Sequence, residues 1–286
     1  MTTIGLTVNQ TKAGALDFAQ QLIELLEDKS VRVYVEPILG EYVDRKDLIL
    51  PLEKFSDTVD LIFVLGGDGT LLGMAREFCQ KGVPILGINL GHLGFLSVVE
   101  PSNLPFAVDR ILSGEYYLEK RMMIQADLIR RGVKKVEYHA LNDICIAKGT
   151  FSRIIECATY VGGTYIKTFN GDGIIISSPT GSTAYSLSAG GPIVAPNINA
   201  ILLTPIAPHS LSSRPFILSG EEEVRVVIDA THEDIGLTVD GQIGFKVEVG
   251  DEVILRKSPY MTTLIKWKES SFFDVVRKKL MGEPNE

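Results

Sequence analysis

The sequence is poor in the residues that build disulfide frameworks, metal centres and membrane spans. Its three cysteines, Cys79, Cys145 and Cys157, sit in apolar stretches at no ligand-like spacing. That excludes a disulfide-stapled scaffold and predicts buried, reduced thiols. The four histidines are scattered, so no metal cluster is expected. Bases are also short, 28 against 36 acids for a net charge of -8. Such a balance argues against nucleic acid or an anionic membrane as the main partner, while a pocket can still take a small anion. No apolar run approaches the roughly 20 residues of a membrane span. The opening MTTIGLTVNQTKAG has neither a basic start nor a leader-length apolar segment. A cytoplasmic protein follows as the expectation. What remains is an ordinary globular composition, 45% hydrophobic and 22% charged over 286 residues, enough for one large or two ordinary domains.

The chain is organised around residues 61–72, LIFVLGGDGTLL. Five apolar residues read as a strand buried on both faces. They run into Gly66, Gly67, Asp68, Gly69 and Thr70, where three glycines let the backbone turn tightly and a ligand approach closely. A helix starting near Thr70 would aim its free N–H groups into the loop, as in a phosphate cradle. The spacing is not a dinucleotide fingerprint, because the third glycine falls at Gly73, one position late. Nor is it a P-loop, since no Gly-Lys-Ser/Thr follows. Asp68 would repel a phosphate, so its presence points to chemistry: taking a proton from a hydroxyl, or helping to hold a metal. Gly-Asp-Gly is equally an ordinary turn sequence, and on its own the motif leaves both readings open.

Before this stretch, residues 4–8 read as a strand, 13–28 as an amphipathic helix and 31–35 as a strand. After it come a helix over 71–79, a strand over 83–88 and a helix over 104–112. That alternation predicts an α/β N-terminal domain with an open, largely parallel sheet, whose ligands sit at the carboxyl ends of the strands. Asn89 and Phe95, in the second Gly-rich loop GINLGHLGFLS, are candidates for lining the cleft; His92 there reads as part of a wide turn. From about Leu118 the texture changes to short, β-branched, alternating segments separated by turns such as Asn170-Gly171 and Asp240-Gly241. This predicts an all-β C-terminal domain. A final helical period over 272–280 suggests a C-terminal helix returning to the first domain. The expected division is 1–118 with 265–286, and 119–264.

Residues 171–193, GDGIIISSPTGSTAYSLSAGGPI, carry seven hydroxyls on Ser177, Ser178, Thr180, Ser182, Thr183, Ser186 and Ser188. Hydroxyls and the amides at Gly181 bind phosphate, ribose or base edges without added charge. Tyr185 can lie against an adenine ring. A polar loop capping a short helix is the plainer alternative, but it has little need of so many hydroxyls.

GGDGT at 66–70, Asn142-Asp143 and the long Ser/Thr stretch together resemble the NAD kinase family, in its bacterial branch, over nearly the whole chain. GGDG alone is shared with diacylglycerol, sphingosine and 6-phosphofructo-kinases; the Ser/Thr stretch is the restricted part. The resemblance implies transfer of the γ-phosphate of ATP, or in some members of polyphosphate, to the 2′-hydroxyl of the adenosine ribose of NAD. It implies Asp68 as general base with Gly69 beside it. Asn142 and Asp143 match the family's Asn-Glu pair that holds NAD, the acid here being shorter. Thr183, Ala184, Tyr185, Ser186, Leu187 and Ser188 would surround the adenosine half, and Asp172 would meet the nicotinamide carboxamide. Arg153, Asn170, Thr180, Ala207 and Gln242 match further contact positions. The loop itself holds no lysine, so Mg²⁺ or another divalent metal arriving with ATP would neutralise the phosphates, with no tightly bound protein metal site. Homo-oligomers, dimer-based and tetrameric, are also implied, with one subunit lending residues to its neighbour's NAD site. The alternatives are a lipid or sugar kinase using the same loop, and a non-catalytic NAD(P)-binding sensor.

Overall fold

A computed structural model describes residues 2–91 and 94–282, so the reading of His92 lies outside the described residues. The chain divides into two compact units, Met1–Lys120 with Thr262–Glu286, and Arg121–Met261.

In the first unit the strands are β1 (Thr3–Val8), β2 (Arg32–Val35), β3 (Leu61–Gly66) and β4 (Ile85–Asn89). They pair in parallel in the order β2-β1-β3-β4. Parallel neighbours need crossovers. Helix α1 (Ala15–Asp28) supplies one, burying Ala15, Ala19, Leu22, Ile23 and Leu26 as its period requires. Each such leucine contributes roughly 1.5–3 kcal/mol. An exposed pair such as Lys29–Asp109 adds only about 0–1 kcal/mol, so apolar burial sets the helix's place. The crossover from β2 to β3 holds two short helices that the sequence pattern did not reveal, α2 (Pro37–Tyr42) and α3 (Phe55–Thr58). Helix α4 (Asp68–Phe78) joins β3 to β4, and α5 (Leu104–Ser113) follows β4.

The second unit is all β apart from one short helix. Its strands are β5 (Tyr117–Arg130), β6 (Val133–Ala140), β7 (Asp143–Lys148), β8 (Ile155–Val161), β9 (Thr164–Gly171), β10 (Gly173–Ser177), β11 (Ala200–Ile206), β12 (Phe216–Ser219), β13 (Val224–Asp229), β14 (Ile235–Val239), β15 (Ile243–Val247) and β16 (Glu252–Lys266). One antiparallel sheet runs β12-β11-β10-β7-β14-β15; a second joins β16, β13, β8 and β9, with β5 and β6 beside β16. The short helix is α6 (Tyr185–Ser188). Strand β11 escaped the sequence reading because Pro205 interrupts its pattern; here Pro205 stands opposite Ile174 in the ladder.

The end of β16, from Thr262, belongs to the first unit, where Leu264 pairs with Ile85. Helix α7 (Phe272–Leu280) follows, its Lys279 ammonium 5.6 Å from the Phe95 ring centroid. Arg110 holds this C-terminal segment by pairing with Glu269 and lying 4.7 Å from the Trp267 ring centroid. Each unit has its own core, one around β1, β3 and α1, the other between the two β layers. Among the described residues no helix is long and apolar enough to cross a membrane.

Candidate active site

In the first unit, β3 delivers Gly66 at its carboxyl end, and Gly67 continues in extended backbone, φ -129°. The helix then starts two residues earlier than expected, which makes Asp68 its first residue. An acid in a first turn is favoured by the helix dipole. The Asp68 carboxylate is also clamped: Oδ2 accepts from the Phe95 backbone N–H at 2.7 Å and Oδ1 from that of Leu96 at 3.3 Å. Gly94 makes room for this contact, since a Cβ there would stand 1.8 Å from Asp68 Oδ1. The clamping loop is itself held by the Gly94 N–H on Ser97 Oγ at 3.1 Å, and by buried Lys266, whose Nζ donates to the Leu96 carbonyl at 2.9 Å. The carboxylate therefore has a fixed direction and keeps lone pairs for a further donor. Gly69 beside it is exposed. Asn89 is buried, and its Oδ1 accepts from the Gly91 N–H at 3.1 Å, shaping the loop. Phe95 contributes through its backbone as well as its half-buried ring.

Sequence reasoning found no lysine in this loop, and none is local to it. The fold brings one from the turn after β1: Lys12 Nζ lies 3.4 Å from the Gly66 carbonyl oxygen. Only the parallel pairing of β1 with β3 could have placed it there.

In the second unit, Asn142 and Asp143 lead into β7. Their backbone is fixed by Asp240, whose carboxylate accepts from the N–H groups of Leu141, Asn142 and Asp143 at 3.3, 2.7 and 3.1 Å. The Asp240-Gly241 turn was legible as a turn, but not as this clamp. Burial, and next the charge of Asp240, push the Asp143 carboxyl up to about 7. Tyr185 is half exposed, its hydroxyl raised by burial and then by Cys145, Asp172 and Asp143. Asp172 keeps Lys148 at 3.7 Å.

The hydroxyl-rich stretch divides. Ser178 Oγ donates to the Leu141 carbonyl at 2.5 Å, Ser182 bonds Val194, and Ser186 Oγ meets Thr204 Oγ1 at 2.8 Å, all three serines fully buried. Thr180 Oγ1 accepts from Arg121 at 3.2 Å. These hydroxyls are engaged in holding the loop to Leu141, Val194, Thr204 and Arg121, a tertiary outcome that composition does not reveal. Ser177 is likewise buried. Thr183, Ala184, Tyr185, Leu187 and Ser188 are half-buried or exposed and open to a ligand. Gly181 lets the loop close on Asn142, since a Cβ there would lie 2.1 Å from the Asn142 carbonyl oxygen. Ala207 is exposed at φ +42°, just past β11, with its carbonyl near Gly171. Asn170 is exposed, its carbonyl accepting from the His209 N–H at 2.8 Å. Gln242 is exposed beside the Asp240 turn. Arg153 is exposed, and its carbonyl meets His232; no hydrogen bond or ion pair among the described residues joins it to the Tyr185 group. Among the described residues no group of three or more His, Cys, Asp or Glu is arranged to hold a metal ion.

Residues 4–116 match the family model described as the ATP-NAD kinase N-terminal domain, and residues 141–267 that of the ATP-NAD kinase C-terminal domain. The chain is 43% identical over 285 residues to the NAD kinase of Heliobacterium modesticaldum, covering 98% of this chain and 99% of the relative. It is 39% identical over 282 residues to that of Natranaerobius thermophilus, covering 99% of each. Among solved structures it is similar to yeast NADH kinase complexed with NADH, with a TM-score of 0.89 and 28% identity over 100% of this chain and 89% of that one. A fold likeness extends to an NAD kinase from Archaeoglobus fulgidus in complex with ATP, with a TM-score of 0.77 and 24% identity over 99% of this chain and 100% of that one.

Proposed function

The chain belongs to the ATP-NAD kinase family, and from that membership we infer a phosphotransferase that converts NAD to NADP with ATP as donor. The observation that carries the reading is the match to both family domains, in order, on a chain whose GGDGT carboxylate is held in a fixed direction. NADP differs from NAD by one phosphate on the 2′-hydroxyl of the adenosine ribose. The reaction therefore needs a base at that hydroxyl and a cradle for the donor phosphates.

Asp68 is proposed as the base. Two amides orient its carboxylate, and the positive dipole end of α4 favours an anion beside it. It accepts the hydroxyl proton as the new O–P bond forms, a role worth roughly 10²–10⁴-fold in rate. The NAD side is proposed on the second unit: Asn142 and Asp143, the open residues 183–188, Asp172, and more peripherally Arg153, Asn170, Thr180, Ala207 and Gln242. Ser186 and Thr180 act there by holding the loop, their hydroxyls bonded to Thr204 and Arg121. The domains proposed at the sequence level, 1–118 with 265–286 and 119–264, would divide these tasks between donor and NAD. A divalent metal accompanying ATP neutralises the phosphates; the chain's own groups position the reactants.

A homo-oligomer, dimer-based, is also proposed. Its support is apolar surface on the second unit: Phe151 is 100% exposed and Leu211 95%. Burying either in an interface would contribute roughly 1.5–3 kcal/mol.

Incubating the purified protein with NAD, ATP and Mg²⁺ and assaying NADP tests the function; no NADP formation would overturn it. Omitting the metal, or adding chelator, should abolish the activity. Neither a lipid or sugar kinase nor a non-catalytic sensor is favoured, because the second family domain matches as well as the first.

A further inference from the structure

We propose that Lys12 is a catalytic residue of this transfer, its ammonium binding the donor phosphates over the Gly66–Thr70 loop. The proposal deepens the kinase reading above and rests on it.

The placement is specific. Asn9, directly after β1, ties the turn to the loop: its N–H donates to the Leu65 carbonyl at 2.8 Å, and its Nδ2 to Thr70 Oγ1 at 3.1 Å. The turn closes with the Lys12 N–H on the Asn9 carbonyl at 3.2 Å. The half-buried Lys12 side chain then extends over bare backbone. A Cβ on Gly67 would stand 3.3 Å from Nζ, and one on Gly91 3.7 Å. The ammonium thus lies against the backbone of both Gly-rich loops.

Its one hydrogen bond among the described residues, to the Gly66 carbonyl, is at the long limit of 3.4 Å. An ammonium has three donors, so others stay available. Among the described residues no carboxylate pairs with Lys12, whereas Lys148 has Asp172 and Lys29 has Asp109. A purely structural strap is the weaker explanation, since Asn9 already ties the same turn to Leu65 in β3 and to Thr70 with two shorter bonds. A cation half out of water, over an amide-rich loop beside the start of a helix, suits a polyanion.

The chemistry balances without any proton change at Lys12. The acceptor oxygen forms a bond to the γ-phosphorus as the bond from that phosphorus to the β-γ bridging oxygen breaks. The hydroxyl proton passes to Asp68, and ADP leaves with the bridging oxygen. The Lys12 ammonium offsets charge on the donor phosphates throughout.

The test compares full-length wild type with Lys12→Met, which keeps length and removes charge, and Lys12→Arg, which keeps charge. Initial rates are measured with ATP and NAD varied separately at saturating Mg²⁺. MgATP binding is measured by calorimetry without NAD. Lys12→Met should lower kcat/KM for ATP by about 10- to 100-fold, the range for a lost charge-assisted contact. It should weaken MgATP binding in the same direction, leave the KM for NAD within about twofold, and leave Tm near wild type. Lys12→Arg should recover part of the loss. Wild-type ATP kinetics and MgATP affinity in Lys12→Met would overturn the proposal. So would parallel losses in Tm and the KM for NAD, matched in Lys12→Arg, which would mark a strap for the loop. A wild-type protein that binds MgATP but makes no NADP would sink the kinase reading instead, while the binding arm would still judge the phosphate contact.

Discussion

At the scale of single residues, the candidate site depends on how carboxylates are held. Asp68 is oriented by the Phe95 and Leu96 amides, so Asp68→Asn should keep the side chain's size and, through its one oxygen, the shorter Phe95 contact, while losing the base. We predict a kcat at least about 100-fold lower with NAD affinity little changed; a near-normal kcat with a shifted KM would place the base elsewhere. Tyr185 is half exposed, with its ring open to a ligand. Tyr185→Ala should weaken NAD binding by roughly 1–3 kcal/mol, the range for a lost stacking face, and Tyr185→Phe much less. Equal large losses, read by calorimetry, would point to the hydroxyl. Asp143 supplies a pH prediction. Burial, then Asp240, raise its folded carboxyl to about 7, against about 3.9 unfolded. Between those values the folded state binds more protons, so stability is full at low pH and is lost as pH rises through about 7. The urea-derived unfolding free energy of wild type, relative to Asp143→Asn, should therefore fall by roughly 1–4 kcal/mol between about pH 5 and about pH 8. A constant difference between the two proteins across that window would refute the assignment.

At the scale of elements, the loop after β4 decides whether Asp68 is usable, and Gly94 is its tightest point. A methyl there must displace the carboxylate it would meet at 1.8 Å. Gly94→Ala is expected to cost about 1–3 kcal/mol by overpacking, read as a lower Tm, and to lower kcat at least about tenfold because the base is misplaced. A kcat near wild type would show that Asp68 does not need the clamp. This element also marks where the sequence stopped being informative. The run Leu61–Leu65 was legible as a buried strand, and GGDGT as its loop, because burial on both faces and glycine leave local signatures. The clamp of Asp68 by residues 95 and 96 was not legible, since backbone amides carry no residue label. Lys12 escaped because β1 pairing with β3, a contact between distant segments, sets its place. Composition did not separate buried hydroxyls from accessible ones: Ser178, Ser182 and Ser186 are buried, and nothing in a run of serines tells the inner from the outer. Helices α2 and α3 were missed because six and four residues give too short a period to read.

At the scale of the whole molecule, the question is whether one chain completes a site. The proposed oligomer would cover Phe151 and Leu211, which stand in solvent in the single chain. Asp172 sits at the Asn170–Gly173 turn, with its side chain 43% exposed and Lys148 3.7 Å away. A residue so placed is able to serve a neighbouring subunit. If a site draws Asp68 from one chain and Asp172 from another, Asp68→Asn and Asp172→Ala should each be nearly inactive as homo-oligomers. Mixed in one two-fold dimer, they leave one site with both intact groups and one with neither. Activity of the mixed dimer should then return to about half of wild type, by symmetry alone. Co-expression under two tags, sequential purification through both, and an NADP assay measure this directly. Sites formed within one chain would instead each keep a single defect in every mixed species. Activity would then stay at the parental level despite proven mixing, and the shared-site arrangement would be excluded.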